Sequence, residues 1–280
     1  MARTPFAYAF APGENLEHGF RRVLAEMSLA ARQLGHSRGD LDRSVHHARL
    51  LIKRLRALLG LARPALRPSV FKRAKAQLRQ AAGLLAAQRD LAATQLILSK
   101  LAQKAGRTGD RAVLARTSRA LGGSARARAS KKKTLRISLQ DAMNLVRVSM
   151  VEIEKSPARR KSWPKPSTRL DCAFHEMRKA GRKALKHGKD VAFHEWRKKA
   201  KRLLYQLELT QAEPDRRQAR LRKSVDALQN ALGDYHDCVV TETRLGQQFS
   251  RQSAAKRILV LLKKRKLRLR KKARKIFRIL

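Results

Sequence analysis

Two segments of the chain place histidine ahead of basic residues at the same spacing. The first begins at His46 and the second at His194; in both, Arg follows at three positions, Lys at seven, Arg at eight and Leu at nine. These basic residues are Arg49, Lys53 and Arg54 in the first copy and Arg197, Lys201 and Arg202 in the second. Arg and Lys make charge-assisted hydrogen bonds to phosphoryl oxygens, and histidine adds ring donors whose charge changes near neutral pH. The two segments therefore predict phosphate binding.

An aspartate follows each histidine segment at a matching distance. Asp90 lies five residues after Leu85, and Asp237 lies five residues after Leu232. The offset between the copies is 148 residues for the histidines (194 − 46) and 147 for the aspartates (237 − 90). Two motifs at one offset indicate an internal duplication. Each aspartate could orient a histidine or a basic side chain, and a purely structural salt bridge is the alternative.

Helical periodicity places the cations on one side of each segment. An α-helix turns about 100° per residue. With His46 at zero, Arg49, Lys53 and Arg56 lie within about a quarter-turn arc, and the leucines occupy the other side. Four basic or aromatic residues lie within about 60° of the second histidine: Arg197, Lys198, Lys201 and Tyr205. We call these two rows, each with its histidine, the first and second histidine ridges.

A weaker echo of the second copy precedes it in the chain. The stretch 174–179 resembles 193–198, and Arg182 follows closely. Four of its residues are candidates for extending the same basic surface: His175, Arg178, Lys179 and Arg182.

The elements that must carry these residues are helices. Nearly every long segment has the helical period and almost none alternates as a strand does, so we predict an all-α fold of helical bundles. The pattern predicts long helices over 71–101 and 134–154, and an apolar stripe under a basic face at 258–280. Residues 102–133 predict a basic connection, rich in Gly and Ser, around one short helix. Prolines exclude a continuous helix over 155–168.

The charge of the chain requires a polyanionic partner. Lys and Arg number 67 against 21 Asp and Glu, a net charge of +46, while 43% apolar residues allow a core. Such a surplus repels itself unless a partner neutralises it. The candidates are DNA, RNA, inorganic polyphosphate and an anionic membrane surface. Two cysteines fit a reducing compartment, and neither a signal peptide nor a membrane span is evident, so we expect a cytoplasmic protein.

A ridge of donors about one turn apart suits a linear polyphosphate. Three other functions are weighed against the binding of polyphosphate. An enzyme of phosphoryl transfer needs clustered carboxylates for metal or a Walker loop, and neither is present; we predict no catalytic residue, metal site or cofactor. Aromatic residues make up 5% of the chain, which leaves no stacking platform for single strands; nonspecific nucleic-acid binding is the alternative function. The basic helix at 263–280 could lie on an anionic membrane, but we expect its apolar stripe to dock into the second bundle.

At these residues the sequence resembles the CHAD family, the conserved histidine α-helical domain. Residues 45–59 are similar to the first histidine helix of the family, 193–205 to its second, and 232–237 to its Leu-Gly…Asp signature. The resemblance implies one domain over 6–280, made of two pseudo-symmetric bundles, about 14–121 and 134–280, around a basic central channel or cleft. Ser156 stands where the triphosphate-tunnel module often fused to this family has Lys, so we expect a stand-alone member.

The resemblance also implies non-catalytic binding of inorganic polyphosphate and association with polyphosphate granules. The ligand contacts that it implies are His46, Arg49, Lys53, Arg54 and Arg56 in the first half, and His194, Arg197, Lys198, Lys201 and Arg202 in the second.

Overall fold

The computed structural model is all-α, as predicted. It describes residues 8–37, 39–104, 108–122, 125–156, 163–210, 214–249 and 253–280, without the side chains of 87–93, 104–110, 120–131 and 248–255. Within these ranges the chain forms ten helices: α1 (Leu16–Gly35), α2 (Leu41–Ala62), α3 (Pro68–Leu84), α4 (Ala86–Lys104), α5 (Thr108–Gly122), α6 (Ala125–Glu154), α7 (Pro166–His187), α8 (Asp190–Thr210), α9 (Arg216–Phe249) and α10 (Ser253–Ile279). None of these helices, over the residues described, has the length and apolar character needed to cross a membrane.

Local signals in the sequence set where the histidine helices begin. The Asp40 side chain accepts hydrogen bonds from the backbone N–H groups of Asp42 and Arg43, which caps α2. Helix α7 begins with Pro166 in its first turn and ends at Gly188, whose φ of 66° is in the left-handed region. Because glycine adopts that conformation without steric cost, the chain turns there and begins α8 two residues later.

The first core lies between α1, α2, α3 and α6. The apolar stripe predicted on α1 is buried along its whole length: Leu16, Phe20, Val23, Leu24, Met27, Ala31 and Leu34. The inner face of α6, including Leu139 and Met143, belongs to the same cluster. Burying such side chains stabilises the fold by about 1.5–3 kcal/mol each. This core therefore fixes the apolar side of α2.

Two further clusters form the rest of the interior. One surrounds Trp196 of α8 and includes α7, α9 and Ala273 of α10. The other joins Ile97 of α4 and Leu114 of α5 to Ile258 and Leu262 of α10. The C-terminal helix therefore docks by its apolar stripe, as the sequence predicted, but its first half packs on α4 and α5 as well as on the second bundle. Helices from the middle of the chain pack on helices from its end, and the division at 14–121 and 134–280 stays a prediction.

Two predicted segments differ from the structure. The single helix predicted over 71–101 was wrong, because the chain breaks between α3 and α4 at Leu85. The carbonyl oxygen of Leu85 accepts a hydrogen bond from the Arg49 guanidinium, and the poor helix former Gly83 precedes it. The stretch 102–133 contains a fifteen-residue helix, α5, and the beginning of α6. Its Ala and Arg residues favour helix more strongly than its Gly and Ser oppose it.

Candidate polyanion-binding site

The two histidine helices pack against each other. Gln206 of α8 is buried and its Nε2 donates to the carbonyl oxygen of Ala57 on α2, at 3.2 Å. A Cβ atom added at Gly60 would lie 2.8 Å from the same Nε2, so the absence of a side chain there permits this close approach. The contact fixes α2 beside α8, although their motifs are 148 residues apart (194 − 46).

The charges of both helices act on His46. Desolvation lowers the pKa of His46, and electrostatic interactions with Lys53, His47, Arg49 and Lys201 lower it further. Three of these side chains belong to α2, whereas Lys201 comes from α8. The two histidine ridges therefore contribute to one positive electrostatic field.

The arginines at the third position after each histidine are held by the protein. Arg49 donates to the backbone at Leu85, as described above. Arg197 is only 8% exposed, and its charge acts on the neighbouring Tyr205. The sequence predicted both as ligand contacts, and the structure places both at the inner margin of their ridges.

His194 lies against a second histidine, His236 of α9. Their Nδ1 atoms are 3.2 Å apart, so one ring donates to the other, and the ring centroids are separated by 4.6 Å. His236 directly precedes Asp237, the predicted orienting residue. The Asp90 side chain lies outside the described residues, and the orienting roles of both aspartates stay predictions. His236 was missed as a site residue, although it stands within the quoted Leu-Gly…Asp motif.

The arginines at the eighth position after each histidine are ion-paired across helices. Arg54 lies 3.6 Å from Glu208 of α8 and is only 14% exposed. Arg202 donates to Glu176 of α7 at 2.6 Å. A phosphate ligand that uses either arginine must compete with a carboxylate already in place.

The remaining predicted residues of the second ridge divide between solvent and core. Lys198 is exposed and pairs with Glu195 at 2.5 Å. The ammonium group of Lys201 lies 5.9 Å from the centre of the Tyr205 ring. Tyr205 is buried, and desolvation is the main reason that its pKa rises to about 12. Tyr205 therefore provides an uncharged aromatic surface beside Lys201.

On α2, part of the Arg56 side chain is exposed. Desolvation of the covered part first, and then the positive charge of Arg79 on α3, lower the pKa of Arg56. Arg56 therefore lies toward α3, at the edge of the first ridge.

A cleft continues from the second ridge along α8. It has a volume of about 520 Å³ and is lined by Tyr8, Arg54, Leu204, Glu208, Ala219, Arg222, Lys223 and Asp226. Leu204 follows Lys201 by three residues, so both lie on nearby faces of α8. Arg222 and Lys223 of α9 were missed by the sequence reasoning because they belong to no repeated motif. We call this cavity the α8–α9 cleft.

The α8–α9 cleft contains carboxylates as well as cations. Burial raises the pKa of Glu208 in spite of the nearby Arg54 and Arg222. Glu208 therefore accepts a proton more readily than an ordinary glutamate, and a protonated Glu208 would repel an incoming anion less.

The weaker echo on α7 serves two different purposes. Arg178 donates to the carbonyl oxygen of Leu280 at 2.8 Å and lies 5.7 Å from the centre of the Phe277 ring, so it anchors the end of α10. His175, Lys179 and Arg182 are exposed, and their membership of the binding surface stays a prediction.

Acidic residues that the sequence reasoning did not select fix the start of α8. Asp190 accepts from Lys266 at 2.9 Å and from Arg270 at 3.4 Å, and Tyr235 also donates to it. Asp234 pairs with Lys100 of α4 at 3.3 Å and with Arg265 at 3.1 Å. The bonds of Asp190 connect the helix of His194 to α9 and α10, and those of Asp234 connect α9 to α4 and α10. We call the contacts around Asp190 the Asp190 network.

The comparisons with known proteins agree with this architecture. The family model described as CHAD domain matches residues 19–246. Among solved structures, the chain is similar to PptA from Streptomyces chartreusis, with a TM-score of 0.68 and 18% identity over 94% of this chain and 96% of that one. At this identity the likeness is one of fold. No curated protein matches the sequence.

Proposed function

Since this chain belongs to the CHAD family, we propose that it binds inorganic polyphosphate, without catalysing its conversion, through the paired faces of α2 and α8. The observation that carries the proposal is the packing of α2 against α8, where Gln206 bonds to the Ala57 carbonyl oxygen and Arg54 lies 3.6 Å from Glu208. Two rows of donors with one common field are suited to a chain of closely spaced negative charges, since each phosphate meets cations from both helices.

The proposed contacts differ in how readily they can reach a ligand. Lys53 and Lys201 are half-buried, and flexible ammonium groups can move toward successive phosphates. Arg54 and Arg202 contribute after they leave Glu208 and Glu176. Arg49 and Arg197 supply fixed positive charge from the inner margin. His46 and His194 add ring donors at the start of each ridge.

We propose that the α8–α9 cleft continues the binding surface and corresponds to the basic channel that the family resemblance implies. Arg222 and Lys223 would receive phosphate groups that have passed Lys201. Long chains would then extend beyond the protein at both ends, and this would hold the protein on polyphosphate granules in the cytoplasm.

The test compares two neutralising variants of equal charge. Lys53→Gln with Lys201→Gln removes one cation from each ridge, and Lys132→Gln with Lys133→Gln removes two exposed cations from α6. Arg197 is a poor target, because it is buried. We expect the ridge variant to weaken polyphosphate binding by at least about tenfold, since charge-assisted bonds contribute about 1.5–3 kcal/mol, with unchanged helicity. Equal losses in both variants would contradict the proposal.

Two further results bear on the proposed function. Release of orthophosphate from long-chain polyphosphate by the purified protein would overturn the non-catalytic assignment. Nonspecific nucleic-acid binding is the second candidate, because the net charge of +46 attracts any phosphate polymer. At physiological salt and equal phosphate concentration, duplex DNA should displace polyphosphate poorly; even displacement would favour the second candidate.

A further inference from the structure

Helix α10 uses only part of its positive charge to hold itself in the fold. Its sequence contains thirteen Lys and Arg and no Asp or Glu. Ile258, Leu262 and Ala273 are buried against the neighbouring helices. In the described part of the chain, the ion pairs of α10 with acidic side chains are made by Arg265 and by two members of the Asp190 network, Lys266 and Arg270.

A separate row of cations lies on the opposite side of α10. Its members are Lys256, Lys263, Lys271, Arg274 and Arg278, all exposed. They lie within about 80° of arc and extend over about 33 Å of helix. Across the residues described, none of the five makes an ion pair. We call them the α10 row.

The fold itself does not require such a row. Helix α6 is also long and also covers a core, yet it carries Asp141, Glu152 and Glu154 among its basic residues. Glu152 lies 3.5 Å from Arg73 of α3. Helix α10, unlike α6, has no acidic side chain of its own among its basic residues, and this charge costs self-repulsion unless a polyanion lies along it.

The α10 row is connected to the second histidine ridge through the Asp190 network. Asp190 is one helical turn before His194 on α8, and Lys266 and Arg270 of α10 reach it. Beyond Arg270, α7 runs beside the last turns of α10, since a Cβ atom at Gly181 would lie 2.7 Å from Phe277. The exposed Arg182 of α7 follows directly. Helix α10 thus contacts α8 one turn before the second histidine ridge begins, and its last turns lie beside the exposed cation of α7.

We propose that the α10 row binds the distal part of a polyphosphate chain whose nearer part lies at the histidine ridges. This inference rests on the proposed function and adds a second contact region for the same molecule. One chain that engages two regions gains affinity because the second contact is intramolecular. A chain too short to reach α10 gains nothing from it. The α10 row therefore makes the protein selective for long chains.

The experiment measures binding of tripolyphosphate and of long-chain polyphosphate to the full-length protein. The α10 variant is Lys263→Gln, Lys271→Gln, Arg274→Gln and Arg278→Gln. The matched control is Lys72→Gln, Lys75→Gln, Lys132→Gln and Lys133→Gln, which removes four exposed cations from α3 and α6. Circular dichroism and thermal unfolding confirm that both variants keep the wild-type fold.

We expect the α10 variant to lose about tenfold to a hundredfold in affinity for long chains and less than about twofold for tripolyphosphate, with little loss in the control. The slope of log affinity against log salt should fall in magnitude by about 3 for long chains, at about 0.7 per charge removed. Equal long-chain losses in the variant and the control would overturn the inference. So would a matching loss for tripolyphosphate, which would place α10 in the primary site.

Two additional outcomes distinguish this inference from membrane binding by α10 and from a failure of the proposed function. Val260 and Leu267 are 52% and 57% exposed on the same face of α10, so a bilayer is the rival partner. If the α10 variant loses binding to phosphatidylserine vesicles but keeps long-chain polyphosphate affinity, the row is a membrane surface and the inference is overturned. If the wild type binds neither polyphosphate, the proposed function itself fails.

Discussion

Helix α2 faces a chain that breaks at Leu85, whereas α8 faces one that runs through Leu232 as a single helix, α9. Arg49 reaches the backbone at the break, while its counterpart Arg197 stays buried beside an unbroken helix. Equivalent arginines therefore have different structural duties. The repeated spacing places an arginine on the corresponding face of each histidine helix, but the neighbouring helices decide what that arginine contacts.

The largest expected effect tests whether the two sides act together. Lys201 acts on His46 across the contact between α2 and α8, so Lys201→Gln should weaken polyphosphate binding by about tenfold or more. Lys132→Gln is the control, because Lys132 of α6 is exposed and belongs to neither ridge. Titration calorimetry measures both. If the two substitutions weaken binding equally, polyphosphate affinity does not depend on where a cation lies relative to the ridges.

The next effect concerns the break beside α2. Arg49→Ala removes the donor to the Leu85 carbonyl oxygen and should lower the free energy of unfolding by about 1–2 kcal/mol. Arg56→Ala, two turns further along the same face of α2 and exposed, should change it by less than about 0.5 kcal/mol. Urea unfolding of both variants provides the measurement. A similar loss in Arg56→Ala would show that the break does not depend on Arg49.

A smaller effect concerns the start of α8. Although burial opposes it, hydrogen bonds from Tyr235 and Lys266 keep the pKa of Asp190 below its usual range. A lowered carboxyl pKa stabilises the fold above about pH 4 and loses that contribution as the pH falls through the lowered pKa. Because Asp190 is partly exposed, we expect Asp190→Asn to cost only about 1 kcal/mol at neutral pH. Thermal unfolding against pH should show a shallower acid limb for the variant; an unchanged limb contradicts this assignment.

The smallest effect is on the pH dependence of binding. The pKa of His46 is lowered in the free protein, so its ring is mostly neutral at neutral pH, and a bound phosphate would raise that pKa. Affinity should therefore increase by a few fold as the pH falls through the usual histidine range, about 6.5, and then level off. His46→Gln should remove part of this rise. A profile identical to that of the wild type would exclude His46 as a contact.

The sequence was sufficient for those features that depend on local periodicity. The stripe on α1, the burial of Leu55 and Leu58 on α2 and the docking of α10 through Leu262 all follow from apolar spacing. The all-α class follows from the same spacing, whereas the family follows from the histidine motifs. Periodicity gives the direction of a side chain about its own helix, and that is enough to separate core from surface.

The partners of the site residues depend on the positions of other helices. Nothing in the spacing indicated that Arg54 would pair with Glu208 or that Arg202 would pair with Glu176. The hydrogen bond from Arg49 to the Leu85 carbonyl oxygen was hidden for the same reason, since its donor lies on another helix. Such contacts arise only when distant segments are brought together. The spacing of the motifs therefore identified the candidate ligand contacts but not the ion pairs and hydrogen bonds that these residues make in the structure.

The carboxylates of Glu176 and Glu208 have a consequence for ligand choice. Each is ion-paired with an arginine that the proposed ligand would use. An anion that binds there must therefore displace a carboxylate that belongs to the protein itself. A lone orthophosphate ion replaces one such bond at a time and gains little from the exchange. A polymer replaces both while its other phosphates stay bound to Lys53 and Lys201. We expect these glutamates to prevent small anions of the cell from binding at the histidine ridges, while a polymer can still displace them.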